Sequence, residues 1–542
     1  MRTTFYEGIM IDGIVKPENW HSPEKRNFIL QKIDKNKIIL AITSGLLLTG
    51  SFPHTSLSWL AWFALAPLII AAKDLRFKDG FKIGLLTGLV HNITLLYWLS
   101  YTMETYGHLP IYLSIPILFL FSFYLSLYIA LFSGLLTRIT LKPLMLFFMI
   151  PALWVSLEYV RSFLFTGFPW ELTAYSQYKS LHIIQVSDIL GSYGVSFLLI
   201  LSNAAVLIGF LYLTKSGWWG KKVSGVHFAS SALIFIFALT FVWFYGKNRI
   251  EITDKTVSAS HKARISVIQG NIGQSEKWDP ALQYSAVKKY LDLSGSVIAE
   301  KPDLVVWPET AAPFYFLYDT GLTEMVQSSV AETGVSFLIG SPSFIRNKDN
   351  IEYYNSAYLV GPDGKVSGKY DKVHLVPFGE YVPLKKWLPF LGKIVENVGD
   401  FRPGKKGATI SLNGHSIGVL ICYELIFPYL SRAEVKNGAG LLVNITNDAW
   451  YGKTSAPYQH FSMAVFRAVE NRRALVRAAN TGISGFIDPS GRIIASTPIF
   501  EDAAMTRNVP ILEEITFYTR FGDLFAFICL AAAAVTLLIK TK

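Results

Sequence analysis

A carboxylate, an ammonium and a thiol stand at the ends of three strand-like runs of this chain. Glu309 ends LVVWPE, Lys372 follows the glycine-rich GPDGKVSGKYD, and Cys422 ends IGVLIC. They lie 63 and then 50 positions apart. A free thiol titrates near about 8.5 and is mostly protonated at neutrality. A carboxylate within hydrogen-bond reach takes that proton as sulfur attacks. The helical pattern after Cys422 (YELIFPYLSRAEV) favours a thiolate, because a helix N-terminus is partly positive. An attacked carbonyl becomes an oxyanion, which a fixed ammonium and the backbone N–H after the nucleophile stabilise. Each type alone has a plainer reading. A strand-end Glu is usually solvated or salt-bridged, a Lys usually sits on the surface, and a lone Cys is usually a small buried hydrophobe. The spacing suits three strand ends of one sheet converging on a pocket.

The elements that must position them fall in residues 247–521. Short β-type runs recur there: RISVIQGNI, DLVVWPET, VSFLIGS, NSAYLVGP, HSIGVLICY, GLLVNITND and SGFIDP. Turn signals such as GPDG, NG and DPSG separate several of them. Helical patterns intervene at about 280–300, 321–333, 424–437 and 457–474. Mixed strands and helices over this length imply one α/β domain. No tandem repeat is visible.

Outside that segment the chain is apolar. It is 51% hydrophobic and only 16% charged, against about 25% charged in soluble domains. Apolar runs occupy roughly 38–55, 57–72, 82–101, 110–136, 144–165, 193–213, 228–245 and 522–539, so about eight spans are expected. Lys73, Arg76, Lys78, Lys82, Arg138, Lys142, Lys215, Lys221 and Lys222 fall in alternate loops, and SFPHTSLS and YTMETYGHLP carry no Lys or Arg. The positive-inside rule then puts both ends of the chain in the cytosol and 247–521 outside, in the periplasm of a Gram-negative inner membrane. The expected organisation is a polar cytosolic tail at 1–36, seven spans within 37–246, the catalytic domain at 247–521, and a last span with a short cytosolic end at 522–542. The tail lacks the apolar core and cleavage site of a signal peptide. The net charge of +11 does not imply nucleic acid: 247–521 holds 30 Lys and Arg against 27 Asp and Glu, with no basic stripe interleaved with aromatics. Cys422 and Cys529 are not expected to pair, since Cys529 lies in the last apolar run.

WPET at 307–310, KYDKVHLVPFGEYVP at 369–383 and ICYE at 421–424 resemble the Glu, Lys and Cys signatures of the carbon–nitrogen hydrolase (nitrilase) superfamily. VIQGNIGQSEKWDP at 267–280 and NITNDAWYG at 444–452, with the membrane runs, narrow the resemblance to the apolipoprotein N-acyltransferase family over about residues 38–542. The resemblance implies a multi-pass α-helical membrane domain plus a nitrilase-like α/β domain, an αββα sandwich. It implies Glu309 as general base, Lys372 as oxyanion stabiliser and Cys422 as acylated nucleophile. Glu380 would support the lysine and the base. Tyr423, through its N–H, and Glu424 would complete the nucleophile turn. Trp278, Asn355 and Trp450 would lie near the acyl or substrate pocket. The implied reaction passes an acyl chain from sn-1 of a phospholipid, phosphatidylethanolamine, through a Cys422 thioester to the α-amino group of a diacylglyceryl-modified N-terminal cysteine. It is a ping-pong scheme with no metal or redox cofactor, run by a monomer at the bilayer.

Other signals weigh less. GHSIG at 414–418 fits G-x-S-x-G, but Ser416 follows an NG turn and precedes a strand, so it belongs to a hairpin rather than a nucleophile elbow. His91, Asn92, Glu158 and Arg161 within apolar runs are read as helix-packing or interfacial groups rather than a transport path. Arg467, Glu470 and Arg473 share one helix face and are read as a structural ion-pair face. FYFLYDTGL at 314–322 and WLPFLGKIVENVGDF at 387–401 either dip into the membrane interface or cover the domain's own core. A membrane-tethered amidase or nitrilase acting on a small amide is the nearest alternative function. A transporter with a soluble appendage would require paired broken spans.

Overall fold

The computed structural model describes residues 33–277, 279–347, 350–382 and 400–539. Most of the expected 1–36 tail, Trp278 and most of the 387–401 segment therefore lie outside the described residues.

A short hairpin, β1 (Gly217–Trp218) and β2 (Lys221–Lys222), lies between helices Ser192–Leu213 and Gly225–Ala259. After it, two six-stranded sheets stack face to face. One has the order β14-β3-β4-β5-β6-β7, built from β3 (Lys262–Gln269), β4 (Leu304–Val306), β5 (Ser336–Asn347), β6 (Asn350–Val360), β7 (Val366–Asp371) and β14 (Ala503–Pro510). The other has the order β13-β12-β11-β10-β9-β8, built from β8 (Thr409–Leu412), β9 (His415–Ile421), β10 (Leu441–Thr446), β11 (Leu475–Ala479), β12 (Gly485–Ile487) and β13 (Ile493–Ser496). The central strands β3-β4-β5 and β9-β10-β11 run parallel. They are covered on both faces, which is why VLI and LLV read as unbroken apolar runs rather than alternating ones.

Alternation along each strand sorts side chains between layers. Ile265, Val267, Leu304, Val306 and Leu338 meet Ile417, Val419, Ile421, Val443 and Val476 between the sheets. Val305, Phe337, Ile339 and Val360 point the other way, onto Val287 and Tyr290 of helix Pro280–Ile298 and Val326 and Val330 of helix Thr320–Thr333. Leu420, Leu442 and Leu475 turn outward from the second sheet onto helix Ala456–Asn471. Each such side chain contributes roughly 1.5–3 kcal/mol. The layers are helix, sheet, sheet, helix, as the nitrilase resemblance implies. The second helix layer continues into the apolar helices, where Ile184, Val195, Leu198 and Leu199 join the same cluster.

Of the eight apolar runs, four form helices long and apolar enough to cross a membrane: Ile111–Leu136, Pro143–Arg161, Ser192–Leu213 and Gly225–Ala259. The run at 82–101 is split between Phe77–Leu95 and Trp98–Thr105, bent by 51°. The remaining three form the shorter helix Lys35–Gly50, a short 3-10 piece followed by Ala66–Ala72, and Leu524–Leu538. The 246/247 boundary falls inside a helix. Gly225–Ala259 continues for 35 residues, about 52 Å, from the apolar bundle into the α/β domain. Along it Arg249 pairs with Asp188, in the short helix Ser187–Leu190 of the bundle, at 2.7 Å, and Asp254 pairs with Arg492 of the α/β domain.

Candidate active site

Glu309 leaves β4 through a tight turn in which Thr310 has φ +52°. Gly340 of β5 passes directly behind it; a Cβ there would collide with Pro308 O and Glu309 Cα. Lys372 follows β7, its N–H donating to Asn355 O at 2.8 Å. Cys422 follows β9 and opens a 3-10 turn, Cys422–Ile426, with φ +54°. All three side chains are buried, Lys372 to 1% exposure. They do not come from one sheet as the spacing suggests: Glu309 and Lys372 follow strands of the first sheet and Cys422 a strand of the second, so the stacking of the two sheets brings them together.

The charged groups form one cluster. Lys372 Nζ lies 2.9 Å from Glu380 Oε1 and 3.5 Å from Glu309 Oε1. Asn355 Nδ2 donates to both carboxylates at 2.8 Å. Glu309 Oε2 accepts from Asn447 N–H at 3.0 Å, and Glu380 Oε2 accepts from Val376 N–H at 2.8 Å. Burial pulls the Lys372 pKa down, but Glu380 and Glu309 outweigh it and hold the ammonium above its ordinary range. Burial and then Glu309 push the Cys422 thiol up, against the pull of Lys372. The thiol is therefore protonated at rest, and its activation requires a base in the reacting complex rather than a standing thiolate. This differs from the thiolate expected at a helix N-terminus: the element after Cys422 is a five-residue 3-10 turn, and burial and a neighbouring carboxylate both disfavour the charged sulfur.

Glu424, fully buried, ties two of these strand ends together. Its carboxylate accepts from Ile421 N–H and Val373 N–H at 2.6 Å, His374 N–H at 3.1 Å, and Tyr370 Oη at 3.1 Å. Burial raises it to about 7, opposed by those backbone donors. Tyr423 packs its ring edge-on against Phe427. Its N–H belongs to the first turn, before intrahelical bonding begins.

The residues expected beside the pocket separate. Asn355 sits inside the carboxylate cluster, with its Oδ1 lacking a partner among the described groups. Trp450 is exposed in the turn Asp448–Tyr451. Its O accepts from Thr102 Oγ1 at 2.8 Å and its ring meets Tyr106 edge-on. Trp278 lies outside the described residues.

Sequence reading missed Lys277, whose Nζ donates to Glu309 O at 3.2 Å. Burial lowers its pKa to about 7, against Glu309 and Cys422. It also missed Asn447 and the Asp448–His460–Arg477 cluster behind Cys422. Lys277, Asn447 and Asp448 fall within quoted motifs, SEKWDP and NITNDAWYG, so proximity to a motif was a usable signal. His460 and Arg477 carried none. The Arg467–Glu470 pair exists, at 2.9 Å. Arg473 is not part of it and donates to Ala439 O and Glu514 O. Ser416 lies in β9, paired with β8 across Asn413-Gly414. Cys422 and Cys529 are both free. Asn92 donates to Gly88 O and Ser126 Oγ, a packing role. Glu158 and Arg161 contact Thr173 and Trp170 O respectively. In 314–322, Phe314 and Phe316 enter the core while Tyr315, Leu317 and Tyr318 are exposed.

Paired sheets between helix layers, with Glu, Lys and Cys turns at strand ends, define a domain of the carbon–nitrogen hydrolase type. The carbon-nitrogen hydrolase family model matches residues 264–511, and the model of the apolipoprotein N-acyltransferase N-terminal domain matches residues 44–205. The apolipoprotein N-acyltransferase of Geobacter metallireducens is 44% identical over 504 residues, spanning 93% of this chain and 95% of that protein. The one from Methylococcus capsulatus is 32% identical, spanning 90% and 92%. The chain belongs to the apolipoprotein N-acyltransferase family. Among solved structures, an amidase from Nesterenkonia sp. AN1 aligns at a TM-score of 0.37 and 20% identity, over 50% of this chain and 97% of that one.

Proposed function

We propose that the protein is an N-acyltransferase that moves an acyl chain from phospholipid to lipoprotein N-termini through Cys422. The observation that carries this reading is the buried cluster of Glu309, Lys372 and Glu380 beside the Cys422 thiol, in a domain packed on apolar helices. Glu309 takes the Sγ proton as sulfur attacks the sn-1 ester carbonyl of phosphatidylethanolamine. The S–C bond forms, and Lys372 and the Tyr423 N–H carry the oxyanion. The C–O bond breaks, Glu309 returns the proton to the departing alkoxide, and lysophospholipid leaves. The α-amino group of a diacylglyceryl-cysteine then attacks the thioester. Glu309 receives its proton, the C–S bond breaks, and the sulfur regains a proton. Glu380 and Asn355 hold Lys372 and Glu309 in place through both half-reactions. Both substrates are lipids, so a monomer with all eight apolar runs in the inner membrane, 247–521 in the periplasm and both ends in the cytosol suits the chemistry.

Intact-mass analysis after incubation with phosphatidylethanolamine tests this. Wild type should gain one acyl mass, and Cys422→Ala and Glu309→Ala none. An adduct on Cys422→Ala, or none on wild type, overturns the reading.

A further inference from the structure

Cys422 is a non-glycine residue in the left-handed region, at φ +54°. That conformation costs about 1–3 kcal/mol and persists only where the surroundings hold it. Glu424 fixes the turn through Ile421 N–H on one side. On the other side the holding group is His460. Its Nε2 lies 3.3 Å from Cys422 O, and the residue is fully buried in helix Ala456–Asn471.

The histidine is itself fixed. Arg477 Nη2, from β11, donates to Asp448 Oδ2 at 2.7 Å and to His460 Nδ1 at 3.0 Å. Asp448 Oδ1 accepts from Thr446 Oγ1 at 3.0 Å and approaches His460 Nδ1 at 3.1 Å. Gly482 leaves room for the Asp448 carboxylate, which a Cβ there would strike. Arg477 also donates to Asn444 Oδ1 and to Ile483 O. Arg477, Asp448 and His460 are all fully buried. Nε2 faces a carbonyl, which only accepts, so the ring hydrogen is assigned to Nε2 and Nδ1 accepts from Arg477. Burial and Arg477 lower the His460 pKa, which keeps this neutral tautomer at neutral pH.

A trans peptide is planar, and its C=O and N–H point in opposite directions. The carbonyl that His460 holds and the N–H of Tyr423 belong to one peptide unit. Fixing the oxygen therefore aims the N–H away from His460. We propose that His460 is a positioning residue for the oxyanion hole: it holds the Cys422 carbonyl so that the Tyr423 N–H faces the developing oxyanion, with Asp448 and Arg477 orienting the ring. The role rests on the acyltransferase reading given above.

Two variants and two reactions separate this role from a general one. His460→Gln places an amide nitrogen near the position of Nε2 and keeps a donor for the carbonyl. His460→Asn reaches only as far as Nδ1; it keeps a polar partner for Arg477 and loses the carbonyl. Acylation by phosphatidylethanolamine passes through an oxyanion, whereas alkylation of Cys422 by iodoacetamide does not. His460→Asn should form acyl-enzyme about tenfold to a hundredfold more slowly, approaching the loss seen when an oxyanion donor is removed. Its alkylation rate should stay within about twofold of wild type, and His460→Gln should recover most of the acylation. The thioester carbonyl of ¹³C-labelled acyl-enzyme should absorb at higher frequency in His460→Asn, because it is less polarised. Asn and Gln variants acylating alike, or acylation and alkylation falling together, overturn the proposal. A wild type that takes up no acyl group sinks the acyltransferase reading itself, a separate failure.

Discussion

The two helix layers of the α/β domain do the same job for their sheets and differ in what lies on their other side. Helix Pro280–Ile298 buries Ala286, Val287, Tyr290, Ser294 and Val297 and shows solvent a face with Lys288, Lys289 and Asp292. Helix Ala456–Asn471 buries every residue except Tyr458. Val465 and Ala468 share one apolar cluster with Leu475 and Ile487 of the sheet and with Ile184 and Val195 of the apolar bundle. Gln459 Oε1 accepts from Trp98 and Trp170 Nε1 at 3.2 and 2.8 Å, and Arg467 donates to Tyr175 Oη at 3.0 Å. A polar residue on the first helix is solvated by default. On the second it must find a partner, because an unpaired buried donor or charge is costly. The second layer is therefore where the two halves of the molecule are joined, and it lies behind the sheet that carries Cys422.

Breaking that contrast most forcefully means removing a buried charge. Arg467→Leu leaves Glu470 without its cation and should destabilise the protein by about 3–5 kcal/mol, read from thermal unfolding in detergent. The loss should depend on pH. Burial raises Glu470 to about 7, opposed by Arg467. A folded pKa above the unfolded one contributes stability that is full below about pH 4.5 and is lost as pH rises towards 7. Without Arg467 the folded value climbs further, so the variant should go on weakening above pH 7, where the wild type levels off. Arg467→Leu/Glu470→Gln should remove that slope. A flat pH response in Arg467→Leu would show that the pair carries no burial penalty.

The joint also marks where the sequence stopped being informative. The catalytic strand ends were legible because Glu309 and Cys422 each terminate a short apolar run and Lys372 follows a glycine-rich hairpin, whose GPDG turn fixes where its strands stop. The helices at 280–300 and 321–333 were legible because solvent on one face imposes a 3.6-residue rhythm. Helix 457–474 was located, but nothing in its pattern says that its second face meets another domain, so Gln459 and His460 passed unread. Arg473 was grouped with Arg467 by spacing, yet Arg472 after Asn471 adopts φ +49° and ends the helix, turning Arg473 away. The domain boundary was set at the first charges after the seventh apolar run. Lys247, Arg249 and Glu251 are good helix formers, and the helix runs on through them to Ala259. The eight-run count treated each run as one straight element. Pro67 near the start of Ala66–Ala72 and the bend at Leu96 break that equivalence.

A milder break at the joint is Gln459→Leu. It keeps the size of the side chain and removes the acceptor shared by two indole N–H groups. Each donor left unsatisfied costs about 1–3 kcal/mol. The ring centroids of Trp98 and Trp170 are 5.1 Å apart, so tryptophan fluorescence should report the change alongside the unfolding midpoint. An unchanged midpoint would mean that the indoles find other acceptors, and that packing alone holds the two halves together.

The smallest effect belongs to the solvent-facing layer. Lys288 pairs with Asp292 at 3.1 Å, one helical turn on, and both side chains are more than half exposed. Such a pair is screened by water and salt and must hold two mobile side chains in one geometry, so it contributes about 0.3–0.5 kcal/mol. Alanine has the higher helix propensity and offsets part of that loss. Lys288→Ala should therefore shift stability by less than about 0.5 kcal/mol, with no pH slope between 6 and 8. The comparison is sharpest at equal chemistry. Both Lys288 and Arg467 are cations one turn from a carboxylate on a helix covering a sheet, and only the second is enclosed on both sides. A loss at Lys288 as large as that at Arg467 would mean that burial does not separate the two layers.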